Sequence, residues 1–141
     1  MKVDNSKIFY NGQYAEIDIV VPAKTTYKAG TVLGRRSDGK LTAFTTDNNI
    51  AAQEEDGETP AVAEFKTQPL YILAQTVTNE ETSEAELPMV RVFDGGEVNK
   101  NKLIFIKEAD ASDNNVLDAL HTNGFSLENV VDLSEDTCLQ E

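Results

Sequence analysis

The plainest signal along the chain is a series of short segments in which apolar and polar residues alternate. Residues 14–21 (YAEIDIVV) put Ala15, Ile17, Ile19 and Val21 on one side and the mostly polar set Tyr14, Glu16, Asp18 and Val20 on the other, which predicts a half-buried strand. Pro22 ends it, because proline has no N–H to give to a ladder. Residues 29–34 and 40–45 predict two more short strands, joined by a connection whose Asp38-Gly39 pair suits a tight hairpin. Residues 69–77 (PLYILAQTV) form the most apolar run and are expected at the centre of the sheet. Residues 89–105 then read as a strand with Val90 and Val92 on one face, a turn at Gly95-Gly96, and a polar connection into a short buried strand or extended run at 102–106.

The pattern changes once. Over residues 112–122 the apolar positions Val116, Leu117 and Leu120 recur at helical spacing. Ser112 or Asp113 can cap the first amides, and Asn123-Gly124 supplies a stop. Phe125 and Leu127 are expected to return to the core, and residues 130–133 to form a last short strand. At the other end, residues 1–13 show neither period. They predict a slightly cationic arm, Lys2 and Lys7 against Asp4, carrying Ile8, Phe9 and Tyr10, which reads first as a disordered terminus and alternatively as a segment that orders on a partner. The expected class is therefore α+β, mostly β: a small clustered-strand or barrel-like body with one helix in the C-terminal half and a flexible N-terminal arm. The expected division is an arm at 1–13, a β-rich domain at 14–133 and an acidic tail at 134–141.

Composition sharpens this picture in two ways. A chain of 141 residues is long enough to bury one core without disulfides, and the single Cys138 has no partner within it, which fits a reducing compartment. No apolar run approaches the roughly 20 residues that span a bilayer, and residues 1–11 contain no signal-peptide core. The formal net charge of -13 argues against a nucleic-acid partner. Three stretches, 46–60, 79–87 and 126–141, hold 14 of the 25 acids without a Lys or Arg. They read as two acidic surface loops and a tail around a nearly neutral body.

Candidate chemistry adds little. Residues 46–60 hold acids and asparagines, but Ala51-Ala52 interrupt the alternate-ligand spacing of a calcium loop and Gly57 comes late. Zinc needs about four nitrogen or sulfur ligands, and the chain has one Cys and one His. His121 falls in the last turn of the predicted helix, a capping or surface position. Neither G-x-S-x-G nor a phosphate loop occurs, so no enzymatic activity, cofactor or metal is expected. The basic residues Arg35, Arg36 and Lys40 around the hairpin turn read as a solubilising tip in preference to an anion site. A small sugar- or peptide-binding module, using Tyr10, Tyr14, Tyr27 and Tyr71, is the alternative reading.

The order of parts carries one resemblance. An arm, then an alternating strand, Ala29-Gly30-Thr31-Val32-Leu33-Gly34, Leu70-Tyr71-Ile72-Leu73-Ala74, Val90-Arg91-Val92-Phe93-Asp94-Gly95-Gly96-Glu97-Val98-Asn99, and a helix ending in Leu120-His121-Thr122-Asn123-Gly124-Phe125 follow one another. This order resembles the bacteriophage head decoration proteins of the lambda head protein D type, over roughly residues 14–130. The resemblance implies a mostly β body that assembles as a homotrimer at local threefold positions of an expanded phage head. There it clamps neighbouring copies of the major capsid protein against internal DNA pressure. It also implies residence on the outer capsid surface of the virion, after synthesis in the bacterial cytoplasm, with no membrane partner. An N-terminal arm that adds a strand to a capsid-protein sheet is implied too, with Ile8, Phe9 and Tyr10 as the contacts here. The acidic loops and tail are additions to that pattern.

Overall fold

In the computed structural model, residues 8–128 are described. The expected acidic tail at 134–141, the strand expected at 130–133, Cys138 and residues 1–7 of the arm lie outside them. Eight strands and one α-helix follow in the order β1 (Phe9–Val21), β2 (Thr25–Tyr27), β3 (Val32–Arg35), β4 (Leu41–Ala43), β5 (Pro69–Leu73), β6 (Val77–Asn79), β7 (Ala85–Asn99), α1 (Asn114–Thr122) and β8 (Phe125–Glu128). The expected mostly β, barrel-like α+β class is what is found.

Five strands close on themselves. The sheet runs β1-β4-β3-β5-β7, and β1 pairs again with β7, so the barrel has no free edge within that ring. The β1–β4 contact is parallel, through Ile19 and Leu41, and the other four are antiparallel. β8 adds in parallel to the far end of β7, and β2 and β6 form a separate two-stranded ribbon.

The side-chain pattern explains the two cores. Ile19, Leu33, Leu41, Leu73 and Val92, one or more from each barrel strand, form the interior cluster, joined by Tyr27 and Val77 from the small ribbon. Their chain neighbours Val32, Ile72 and Phe93 point the other way and pack beneath the helix with Val116, Leu120 and Phe125. Strands β3, β5 and β7 are thus apolar on both faces at the helix-covered wall, which is why residues 69–73 read as a continuous apolar run. Leu120 is fully buried, and each such side chain contributes about 1.5–3 kcal/mol. Asp113 caps α1 by accepting from Asn115 N–H at 2.9 Å, and Asn123 closes it.

Four details depart from the sequence reading. β1 begins at Phe9, so residues 9–13 belong to the body and the arm is shorter than expected. Gly95 and Gly96 make no chain reversal: they pair with Gln13 and Gly12 inside β7, and Gly96 N–H donates to Gly124 O at 3.0 Å. Glycine is favoured at position 96, whose φ of +127° is a backbone conformation that side chains with a Cβ rarely adopt. The acidic loop expected near 79–88 is a short turn, since Ala85 already starts β7. Asn79 ties that turn down, its Nδ2 lying 2.9 Å from Val21 O and 3.0 Å from Ser83 O while its Oδ1 accepts from Glu81 N–H at 2.9 Å. Finally, of the short buried strand or extended run expected at 102–106, the extended run is found, held by one bridge between Thr31 and Ile104 after a 3-10 turn at Lys100–Lys102, but Ile104 and Ile106 are exposed and not buried.

Candidate functional site

The proposed contact residues of the arm sit at the start of the long β1–β7 ribbon. Ile8 O accepts from Asn99 N–H at 2.8 Å, and both Ile8 and Phe9 pack on the cluster beneath the helix. The Phe9 ring stacks on Phe93 with centroids 3.7 Å apart and meets Phe125 edge-on at 6.0 Å. These two side chains therefore hold the chain's first strand against its own body and are not a free apolar surface. The Tyr10 side chain lies outside the described atoms.

The acidic stretch expected as a loop at 46–60 is the most distinctive surface element. It rises from β4 and returns to β5 as a projecting ribbon, bridged at Ile50–Phe65, Gln53–Val62 and Asp56–Thr59 and turning at Gly57, which has φ +57°. Each bridge is a reciprocal pair of backbone hydrogen bonds, at 2.8–3.1 Å. Every residue from 51 to 64 is exposed, and the segment carries Glu54, Glu55, Asp56, Glu58 and Glu64 with no base. Its root is fixed. Thr46 donates through N–H and hydroxyl to the buried Asp110 carboxylate at 3.1 and 2.8 Å, Asn49 Oδ1 accepts from Thr67 N–H at 2.8 Å, and Thr67 in turn donates to Arg35 O.

The hairpin tip is internally satisfied. Arg36 bridges Asp38 at 2.8 Å and Glu84 at 2.6 Å, which raises its pKa, and the same guanidinium followed by Lys40 N–H holds the exposed Asp38 below its ordinary value. Arg35 donates to Gly39 O at 2.8 Å. Across the molecule Lys107 pairs with Asp47 at 3.0 Å, and that carboxylate raises the Lys107 pKa.

Large apolar side chains are exposed at Tyr14, Val62, Met89, Ile104 and Ile106. Tyr14 is the most open of the tyrosines with described side chains, at 62% exposure, with the Arg91 guanidinium 5.6 Å above its ring and Phe93 beside it. Tyr27 is buried with its hydroxyl 3.3 Å from Thr42 Oγ1, and Tyr71 is half-buried, so a sugar platform would rest on one ring. Met89 sits in a bulge where Pro88 and Met89 oppose Asp18 alone. It adopts φ +51°, and its N–H donates to Asp18 Oδ1 at 3.0 Å.

Among the described residues no group of three or more His, Cys, Asp or Glu side chains could hold a metal, and no helix is long and apolar enough to cross a membrane. His121 is exposed in the last turn of α1. The surface depressions are shallow; one of about 390 Å³ runs past Tyr27, Thr42, Ala43 and Ile106. Sequence reasoning placed the acids of the ribbon but missed Ile104 and Ile106. Residues 103–106 are four apolar residues in a row, a pattern that does not say which face is covered. Comparison with family models, with curated proteins and with solved structures finds no match.

Proposed function

We propose that the protein is a capsid decoration protein that binds the outside of an expanded phage head as a homotrimer and stabilises it against internal pressure. The observation that carries this reading is the order of motifs, from the alternating strand through Val90 to Asn99 to the helix before Asn123-Gly124-Phe125. Its support from the fold is that these motifs make one closed, helix-backed barrel. Val92 and Phe93 line its two cores, and the glycines pack against the end of the helix. A rigid barrel with exposed apolar side chains and a projecting ribbon suits work done by surfaces. Because residues 9–13 belong to β1, the capsid-binding arm in this proposal is residues 1–7 alone.

The test is to mix purified protein with expanded, undecorated capsids of the same phage and weigh the particles. Stoichiometric binding that stabilises the particles against heat is expected, with loss of binding when residues 1–7 are deleted. Failure of the full-length chain to bind overturns the reading. Equal binding by the deletion variant removes the arm and leaves decoration standing. The alternative, a sugar- or peptide-binding module, rests on Tyr14 and predicts hits on a glycan or peptide array that disappear in Tyr14→Ala.

A further inference from the structure

We infer that the extended segment 102–106 is the docking strip for the acidic ribbon of a second copy of this chain. The inference rests on the self-association part of the function proposed above and not on what shell the assembly binds.

The strip is an apolar seam with a basic border. Main-chain bonds from Ile104 N–H to Gly30 O at 2.9 Å and from Val32 N–H to Ile104 O at 3.0 Å hold it extended beside the start of β3. Alternation turns Leu103 and Phe105 onto the cluster beneath the helix and leaves Ile104 and Ile106 outward, at 36% and 56% exposure. Lys102, at the end of the 3-10 turn, is exposed next to the strip, and Lys28 and Lys100 lie close to it, since Lys28 O bonds the N–H of Thr31, the bridge partner of Ile104, and Lys100 O bonds Leu103 N–H. None of these three lysines has an ion-pair partner among the described residues, in a chain with 25 acids.

The ribbon is the complement in both respects. Its returning strand, Pro60-Ala61-Val62-Ala63, is small and apolar with Val62 exposed, and its outgoing strand supplies Glu54, Glu55 and Asp56. Val62, Ile104 and Ile106 are three of the five large apolar side chains left exposed on the molecule's described surface. The ribbon does not fill the strip of its own chain: residues 51–64 are exposed throughout. The ribbon's root is nonetheless joined to the segment that follows the strip, by Lys107–Asp47 and by Thr46 to the buried Asp110. Each copy thus offers its ribbon to the next and receives one on its strip, a head-to-tail contact that a threefold rotation closes into a ring. Apolar contact supplies the affinity, and the lysine border sets the direction and a salt dependence.

The test is sedimentation of the full chain and of three variants, with melting curves to verify that each is folded. One variant reverses the ribbon (Glu54→Lys, Glu55→Lys, Glu58→Lys), one reverses the border (Lys28→Glu, Lys100→Glu, Lys102→Glu), and one carries both sets and so keeps the native net charge. The native chain should assemble and loosen as salt rises. Each single reversal should raise the dissociation constant by at least about tenfold, and the double reversal should restore it to within about threefold. An Ile104→Asp, Ile106→Asp chain should be monomeric. A native chain that stays monomeric overturns the inference, as does assembly unchanged by either reversal or a double reversal that is not restored. Reversal variants that still assemble and bind capsids refute the docking strip alone. A native chain that assembles but ignores capsids refutes decoration alone.

Discussion

Replacing Phe9 by alanine tests whether the chain's first strand belongs to the folded body. The ring is stacked on Phe93 at 3.7 Å and meets Phe125 at 6.0 Å, but it is only partly buried. A fully buried Phe→Ala change costs about 3–5 kcal/mol. Scaling to partial burial and keeping about 0.5–1.5 kcal/mol for aromatic geometry gives an expected loss of about 2–3 kcal/mol. For a domain of this size that corresponds to a drop in Tm of about 10 °C. The assay is urea or thermal unfolding followed by circular dichroism, run beside a chain lacking residues 1–7, which should melt like the native protein. A Phe9→Ala loss under about 0.5 kcal/mol would refute the packed first strand. It would return residues 8–10 to the role of a free arm. Gly12→Ala gives the same readout from the other side, since a Cβ at Gly12 would strike the Phe9 ring.

Three further outcomes are expected. Asn79→Ala removes a buried carboxamide that reaches Val21 O, Pro22 O and Ser83 O and receives Glu81 N–H. It should cost about 2–4 kcal/mol by denaturant titration, with the turn at 80–84 becoming the first site of limited proteolysis. Met89→Gly relieves a left-handed backbone at an exposed side chain and should leave stability unchanged or raise it by up to about 1 kcal/mol, whereas Asp18→Ala should lower it by about 1 kcal/mol. The Asp38 carboxyl is held below its ordinary value in the folded chain by Arg36, so its contribution is present above the unfolded pKa and fades as pH falls through the folded one. Titrating Asp38 by NMR should therefore give a midpoint below 3.8 that rises toward the ordinary value in Arg36→Gln, where the Lys40 N–H bond remains.

How much of this fold was legible depended on whether a segment has one wet face. Residues 14–19 alternate because one side lines the barrel interior and the other meets solvent, and the helix showed its stripe for the same reason. The alternation fails at residues 9–13, which pair with residues 95–98 between two register shifts, at Tyr10 and at Asp94, and which aromatic stacking of Phe9 helps to hold. Gly95-Gly96 suggests a turn to any local reading, yet both residues lie within β7, where Gly96 takes φ +127° and its N–H donates to the Gly124 carbonyl at 3.0 Å. β2 and β6 have three residues each, too few to show a period. In the projecting ribbon the bridges recur every third residue on each strand, so neither a helical nor a strand period appears, and its charge suggested a loop. The outward exposure of Ile104 and Ile106 follows from Leu103 and Phe105 taking the buried side, a choice made by the cluster beneath the helix and invisible in the four apolar residues 103–106.

The closure of the barrel by β1 on β7 also governs when this protein can fold. Phe9 pairs with Val98 and Ile17 with Val90, partners separated by most of the described chain. On a ribosome the first strand must therefore wait, unpaired on that side, until β7 has been made, at about 5–20 residues per second. Contacts of such long sequence separation fold slowly, and the β1 edge is open to other chains meanwhile. Asn11, Gly12 and Gln13, which weakened the strand signal in the sequence, also make that waiting edge a poor template for aggregation.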